Sequence, residues 1–158
     1  MLSDAHLLGG DPQAALEHAE EALRISARTG EAWFDADLHR RLGGVLLRLD
    51  PGDAARAEGE FGRALEIARS QSARLFELRA ARDLARLWRD RGRVAEARDL
   101  LAPVYAAFTE GFAFPDLVEA RALLEELGAA PAGGTDRRQE EVRMPRGPDR
   151  LREPVPGR

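Results

Sequence analysis

The stretch Glu31–Glu110 holds one helical hairpin written twice, and no other feature limits the fold as tightly. Leu42-Gly43-x-x-Leu46 returns 42 residues later as Leu84-Ala85-x-x-Trp88. Ala57, Phe61 and Ala64 return 40 residues later as Ala97, Leu101 and Val104, and a partial copy, Ala15, Ala19 and Ala22, precedes them by 42. A helical hairpin cannot bury its apolar stripe alone, so copies at a period of this length stack on one another. The repeat predicts an all-α fold: an α-solenoid of antiparallel hairpins over residues 1–127, followed by a disordered tail over residues 128–158.

The local signals agree with that register. Met1–Leu8 reads as the last turns of a helix whose beginning is missing, with Leu2, Leu7 and Leu8 on an uncovered face that would favour self-association. Asp11 is placed to cap a helix opening at Pro12, striped by Ala15, Leu16, Ala19, Ala22, Leu23 and Ala27 and closed at Thr29-Gly30. A long helix is expected over Glu31–Leu49 with Trp33, Phe34, Leu38, Leu42, Val45, Leu46 and Leu49 inward. Gly43-Gly44 inside it costs roughly 1 kcal/mol per Gly against Ala, which predicts close approach of a neighbouring helix. Asp53 is expected to cap Ala54–Arg69, and Arg74–Arg91 should carry Leu75, Leu78, Leu84, Leu87 and Trp88. Gly92 stops that helix, and its partner Val94–Thr109 should kink at Pro103. After a connection holding Phe112 and Phe114, Asp116-x-x-Glu119 has the form of a capping box opening Leu117–Leu127, ended by Gly128. Beyond it the chain has no apolar period and contains Pro131, Pro145 and Pro148, which is why it reads as disordered.

Composition removes several function classes. All 24 basic residues are Arg, which with the abundance of Ala reads as coding bias, and the net charge of −4 argues against nucleic acid as a partner. Without Cys there is no disulfide framework, thiolate metal site or Cys nucleophile. No apolar run approaches a membrane span, and Met1-Leu2-Ser3-Asp4 lacks the pattern of a secretory signal. A cytoplasmic bacterial protein or fragment is expected.

Little in the chain suggests catalysis. His6, His18 and His39 form no ligand pair at metal spacing, and His39 is expected beside Asp35 one turn earlier. Glu20-Glu21, Asp35/Asp37 and Glu125-Glu126 read as solvated helix faces, and no Gly-x-Ser-x-Gly elbow is present. No catalytic, cofactor-binding or metal residue is assigned. Arg79, Arg82, Arg86 and Arg89 do form one stripe at helical spacing, and with Arg40 and Arg48 they are a candidate groove for a carboxylate-rich or C-terminal peptide. The competing reading is a solvated face broken by Asp83 and Asp90.

The spacing Ala57-x3-Phe61-x2-Ala64, paired with Leu42-Gly43-x2-Leu46, resembles a tetratricopeptide repeat. It departs from that family in its longer period and in having His39 and Leu46 at the usual aromatic positions. The run Leu38–Leu127, and within it LLAPVYAAFTEGF followed by PDL, resembles the C-terminal helical-repeat region of large bacterial ATPase-linked adenylate/guanylate cyclases and transcriptional regulators. The resemblance implies a non-catalytic protein-interaction or scaffolding module serving sibling domains or a peptide. The alternative it leaves is a C-terminal fragment of a nucleotide cyclase or ATPase whose catalytic domain is missing from this chain.

Overall fold

A computed structural model describes residues 11–129; the expectations for Met1–Leu8 and for the tail from residue 130 onward lie outside these residues. The described residues are helical, without strands: α1 (Pro12–Thr29), α2 (Asp35–Leu49), α3 (Ala54–Ser70), α4 (Arg74–Asp90), α5 (Val94–Ala106) and α6 (Pro115–Ala129). None of these helices is long and apolar enough to cross a membrane. Each helix packs on its neighbours in sequence, and α2 also meets α4 while α4 meets α6. Short connections turn each helix back on the one before, so α2, α4 and α6 run the same way side by side.

Helix ends follow the local chemistry in some places and depart from it in others. At α1 the Asp11 carboxylate accepts the Gln13 N–H at 2.9 Å, and Gly30 closes the helix with φ 75°. α2 begins at Asp35 rather than Glu31, because Ser26 of α1 reaches across the connection. Its single hydroxyl proton goes to the Asp35 carboxylate at 2.5 Å, with the Glu31 carbonyl 3.2 Å away as a weaker, shared acceptor, and residues 31–34 stay outside the helix. The Asp53 side chain makes no capping bond to α3; Asp50 organises that turn by accepting from the N–H groups of Gly52 and Asp53. The capping-box reading of Asp116 also fails, since α6 starts a residue earlier at Pro115 and the Asp116 carboxylate is used elsewhere. α6 then runs through Gly128 to Ala129. Pro103 lies inside α5 on its exposed side, and the helix ends one turn later, at Ala106 rather than Thr109.

The small-large-small stripe is the core. Ala57, Phe61, Ala64, Leu65 and Ala68 of α3 are all buried, as are Ala97, Leu101 and Val104 of α5. Two apolar clusters share Trp88, which lies half-buried between them, while Leu84 is buried in the cluster around Phe61. The indole N–H of Trp88 donates to Glu58 at 2.8 Å, and the Arg93 guanidinium lies 4.5 Å over its ring. The stripe of α1 is only half-buried, and Ala27, Leu49 and Leu75 are exposed rather than inward.

The two adjacent glycines of α2 differ in role. A Cβ on Gly43 would lie 2.7 Å from the Phe61 ring and 3.1 Å from the Ala57 carbonyl, whereas a Cβ on Gly44 meets nothing within 4 Å. Gly43→Ala should therefore destabilise the protein by about 1–3 kcal/mol through overpacking, while Gly44→Ala should stabilise it by up to about 1 kcal/mol through helix propensity. Urea unfolding of the two single variants beside the parent checks the opposite signs.

Candidate functional site

Two surfaces stand out on the helix layer: the arginine stripe and the end at which α2, α4 and α6 begin. On the first, the parallel α2, α4 and α6 bring every arginine of the stripe against a carboxylate of the same chain. Arg79 holds Asp116 with two hydrogen bonds, Nε to Oδ1 at 3.0 Å and Nη2 to Oδ2 at 2.9 Å. Arg82 reaches Asp83, Asp116 and Glu119 at 3.0–3.2 Å. Arg86 pairs with Glu119 at 3.1 Å, and Arg89 with Glu126 at 2.5 Å. From α2, Arg40 bridges Asp37 and Asp83, both at 2.9 Å. Arg48 is exposed near the end of α2 and also has an interaction partner.

The stripe is therefore withdrawn from water at Arg79 and Arg82 and opens to it at Arg86 and Arg89. Arg82 is only 8% exposed and Asp37 likewise, yet no buried side-chain nitrogen or oxygen among the described residues lacks a partner. Burial pushes the Asp116 carboxyl upward, but Arg79 and then Arg82 outweigh it and hold it below the ordinary carboxylate range. Asp37 follows the same pattern, burial being overcome by Arg40 and Arg41. The expected His39–Asp35 pair does not form: Asp35 is taken by Ser26, and His39 Nδ1 lies 2.7 Å from Glu60 of α3. No group of three or more His, Cys, Asp or Glu among the described residues is arranged to hold a metal ion.

The second surface was missed in the sequence. Trp33 is 78% exposed and Phe34 67%, both immediately before α2. Phe34 meets Phe76 of the first turn of α4 edge to face, with ring centroids 6.3 Å apart. Leu75 beside it is exposed, and ahead of α6 stand Phe112 and the 67%-exposed Phe114. Ala32, Trp33, Gln71, Ala73 and Phe76 line an open cleft of about 480 Å³. The Gln71 amide donates to the Ala32 carbonyl at 2.7 Å, and Arg74 donates to the Ala107 carbonyl at 3.2 Å, so the three connections at this end are tied together. The repeat held the signal for this row, because Trp33 and Phe34 lie 42 residues before Leu75 and Phe76.

Comparison with known proteins leaves the surfaces to speak for themselves: no family model matches the chain, and no curated protein or solved structure matches it.

Charge reversal separates the buried part of the ladder from its rim. Arg82→Glu leaves Asp83 and Asp116 facing a third carboxylate away from water and should cost at least about 3 kcal/mol. Arg89→Glu, at a pair largely in water, should cost under about 1 kcal/mol; thermal melting of both variants checks the contrast.

Acid should remove the contribution of Asp116. Its folded pKa lies below the unfolded value of about 3.9, so its stabilisation is complete above that value and is lost as pH falls toward the folded one. The stability gap between the parent and Asp116→Asn should be constant near neutral pH and shrink below about pH 4, as followed by urea unfolding across the pH range.

Proposed function

We propose that this chain is a tetratricopeptide-like helical-repeat module, a solenoid of hairpins that binds peptides or sibling domains of a larger bacterial cytoplasmic regulator and catalyses nothing itself. The observation that carries this reading is the row of exposed aromatics at one end of α2, α4 and α6. Trp33 and Phe34 stand in water next to each other, Phe34 against Phe76, and large exposed apolar side chains grouped in this way mark surfaces that partners cover. Aromatic anchors of this kind supply large contact area and dominate binding energy at protein interfaces.

The solenoid reading is supported by the contact pattern, in which hairpin neighbours pack consecutively and alternate helices α2, α4 and α6 share a layer. It is supported too by the mainly polar exposed faces of the first and last described helices, with Glu17, His18, Glu20, Glu21 and Arg24 beside Ile25 on α1 and Arg121 and Glu125 beside Val118 on α6. An acidic partner on the arginine stripe would have to exchange with Asp116, Glu119 and Glu126, which already fill it. The aromatic end asks for no such exchange, so the binding face of this proposal lies there.

Selection of peptides from a random displayed library on the immobilised full chain tests the reading. Trp33→Ala with Phe34→Ala should weaken the selected peptides at least tenfold, about 1.4 kcal/mol, without lowering the thermal midpoint, because both side chains are exposed. A library that yields no binder, or binders indifferent to both substitutions, would overturn it.

A further inference from the structure

The aromatic cleft has a fitting occupant within the same chain. The cleft is open and mainly apolar, with Trp33 and Phe76 among its lining residues and Phe34 packed edge to face with Phe76. Gln71 is the one polar side chain among its lining residues, and its amide is already turned to the Ala32 carbonyl. A surface of this kind favours a ligand that is flat, apolar, already extended and short of backbone N–H donors to desolvate. Proline-rich segments meet those requirements, since the ring fixes φ, removes the donor and stacks on aromatic faces at little cost in conformational entropy.

The sequence after α6 contains such a segment, Arg143-Met144-Pro145-Arg146-Gly147-Pro148, with two prolines at the spacing of one turn of a polyproline helix. Charge also favours the match. Residues 11–129 hold 17 Arg against 22 acidic residues, a net −5, whereas residues 130–158 hold seven Arg against five, a net +2. Arg143 and Arg146 flank the prolines, and an arginine beside an exposed indole adds a cation–π contact. Glu31, exposed, lies two residues before Trp33 in the chain.

The chain is long enough. Ala129 ends α6 at the opposite end of the helix layer, about 22 Å from the start of that helix at 1.5 Å per residue. The cleft lies two helix spacings to the side, about 20 Å in all, so the straight path is roughly 30 Å. Pro145 lies sixteen positions after Ala129, a stretch that can reach at most about 55 Å. A tethered segment of this length acts as its own ligand at high effective concentration.

We propose that the Pro145–Pro148 segment of this chain docks in the cleft lined by Trp33 and Phe76 and competes there with outside peptides. The proposal rests on the peptide-binding reading of that end and adds a regulator to it. With Trp88→Phe, Trp33 becomes the only tryptophan and reports on the cleft directly. In the full chain, acrylamide should quench this tryptophan at least threefold less than in the same chain carrying Pro145→Ala and Pro148→Ala. The two substitutions lie far in sequence from the helical core, so equal melting of both chains serves as the folding control. A synthetic peptide of residues 141–152 should restore protection to the double variant and leave the parent unchanged. Equal quenching in parent and double variant would overturn the proposal, and so would protection that grows with protein concentration, which would place the segment on a second copy. The two readings separate cleanly: displayed peptides that need Trp33 but bind parent and double variant alike keep the binding face and remove the tail from it.

Discussion

Phe61 rests in the dent that Gly43 leaves on α2, between Ala57 and Ala64 of its own helix, and the rest of the packing depends on that contact. With a methyl group at residue 43 the two helices could not approach so closely, because the ring already lies where a Cβ would need to be. Close approach of α2 and α3 in turn lets Leu42, Leu46 and Leu84 close over the same ring. The next hairpin repeats the device with Leu101 of α5 buried against the α4 face that holds Ala80, Ala81 and Ala85. Small residues set the helix spacing, and large ones fill what remains.

Over this apolar layer runs a polar one. Arg40 of α2 reaches Asp83 of α4, and 42 residues later Arg82 of α4 reaches Asp116 of α6. The repeat thus copies an interhelical ion pair as well as an apolar stripe. Planar guanidinium groups suit this place because each can serve two or three carboxylates at once and stays charged when partly buried. Such pairs add less stability than their number suggests, since burial costs most of what the attraction returns. Their larger effect here is on register: sliding α4 along α2 or α6 would strand several charges away from water.

The stripe is satisfied internally, and the large exposed aromatics lie at the end at which α2, α4 and α6 begin. Ser26 has a decisive part there. By holding Asp35 and the Glu31 carbonyl it delays the start of α2, and Trp33 and Phe34 are left outside the helix rather than on its buried face. The same end carries Phe76, which meets Phe34, and Phe114 ahead of α6, because α2, α4 and α6 run in one direction.

Much of the helical core was legible in the residues themselves. Ala57, Phe61, Ala64, Leu65 and Ala68 recur at helical spacing, and helical spacing places side chains on one face whatever the neighbours are. Asp11-Pro12, Gly30 and Gly92 mark helix ends because capping and left-handed turns are local chemistry. Pairings across helices could not be read in this way. That Asp116 serves Arg79 instead of capping α6, that His39 meets Glu60 instead of Asp35, and that the arginine stripe is filled from within depend on residues tens of positions apart. Periodicity states which face a side chain shares but not which helix stands opposite, and only the packed arrangement of α2, α4 and α6 decides that.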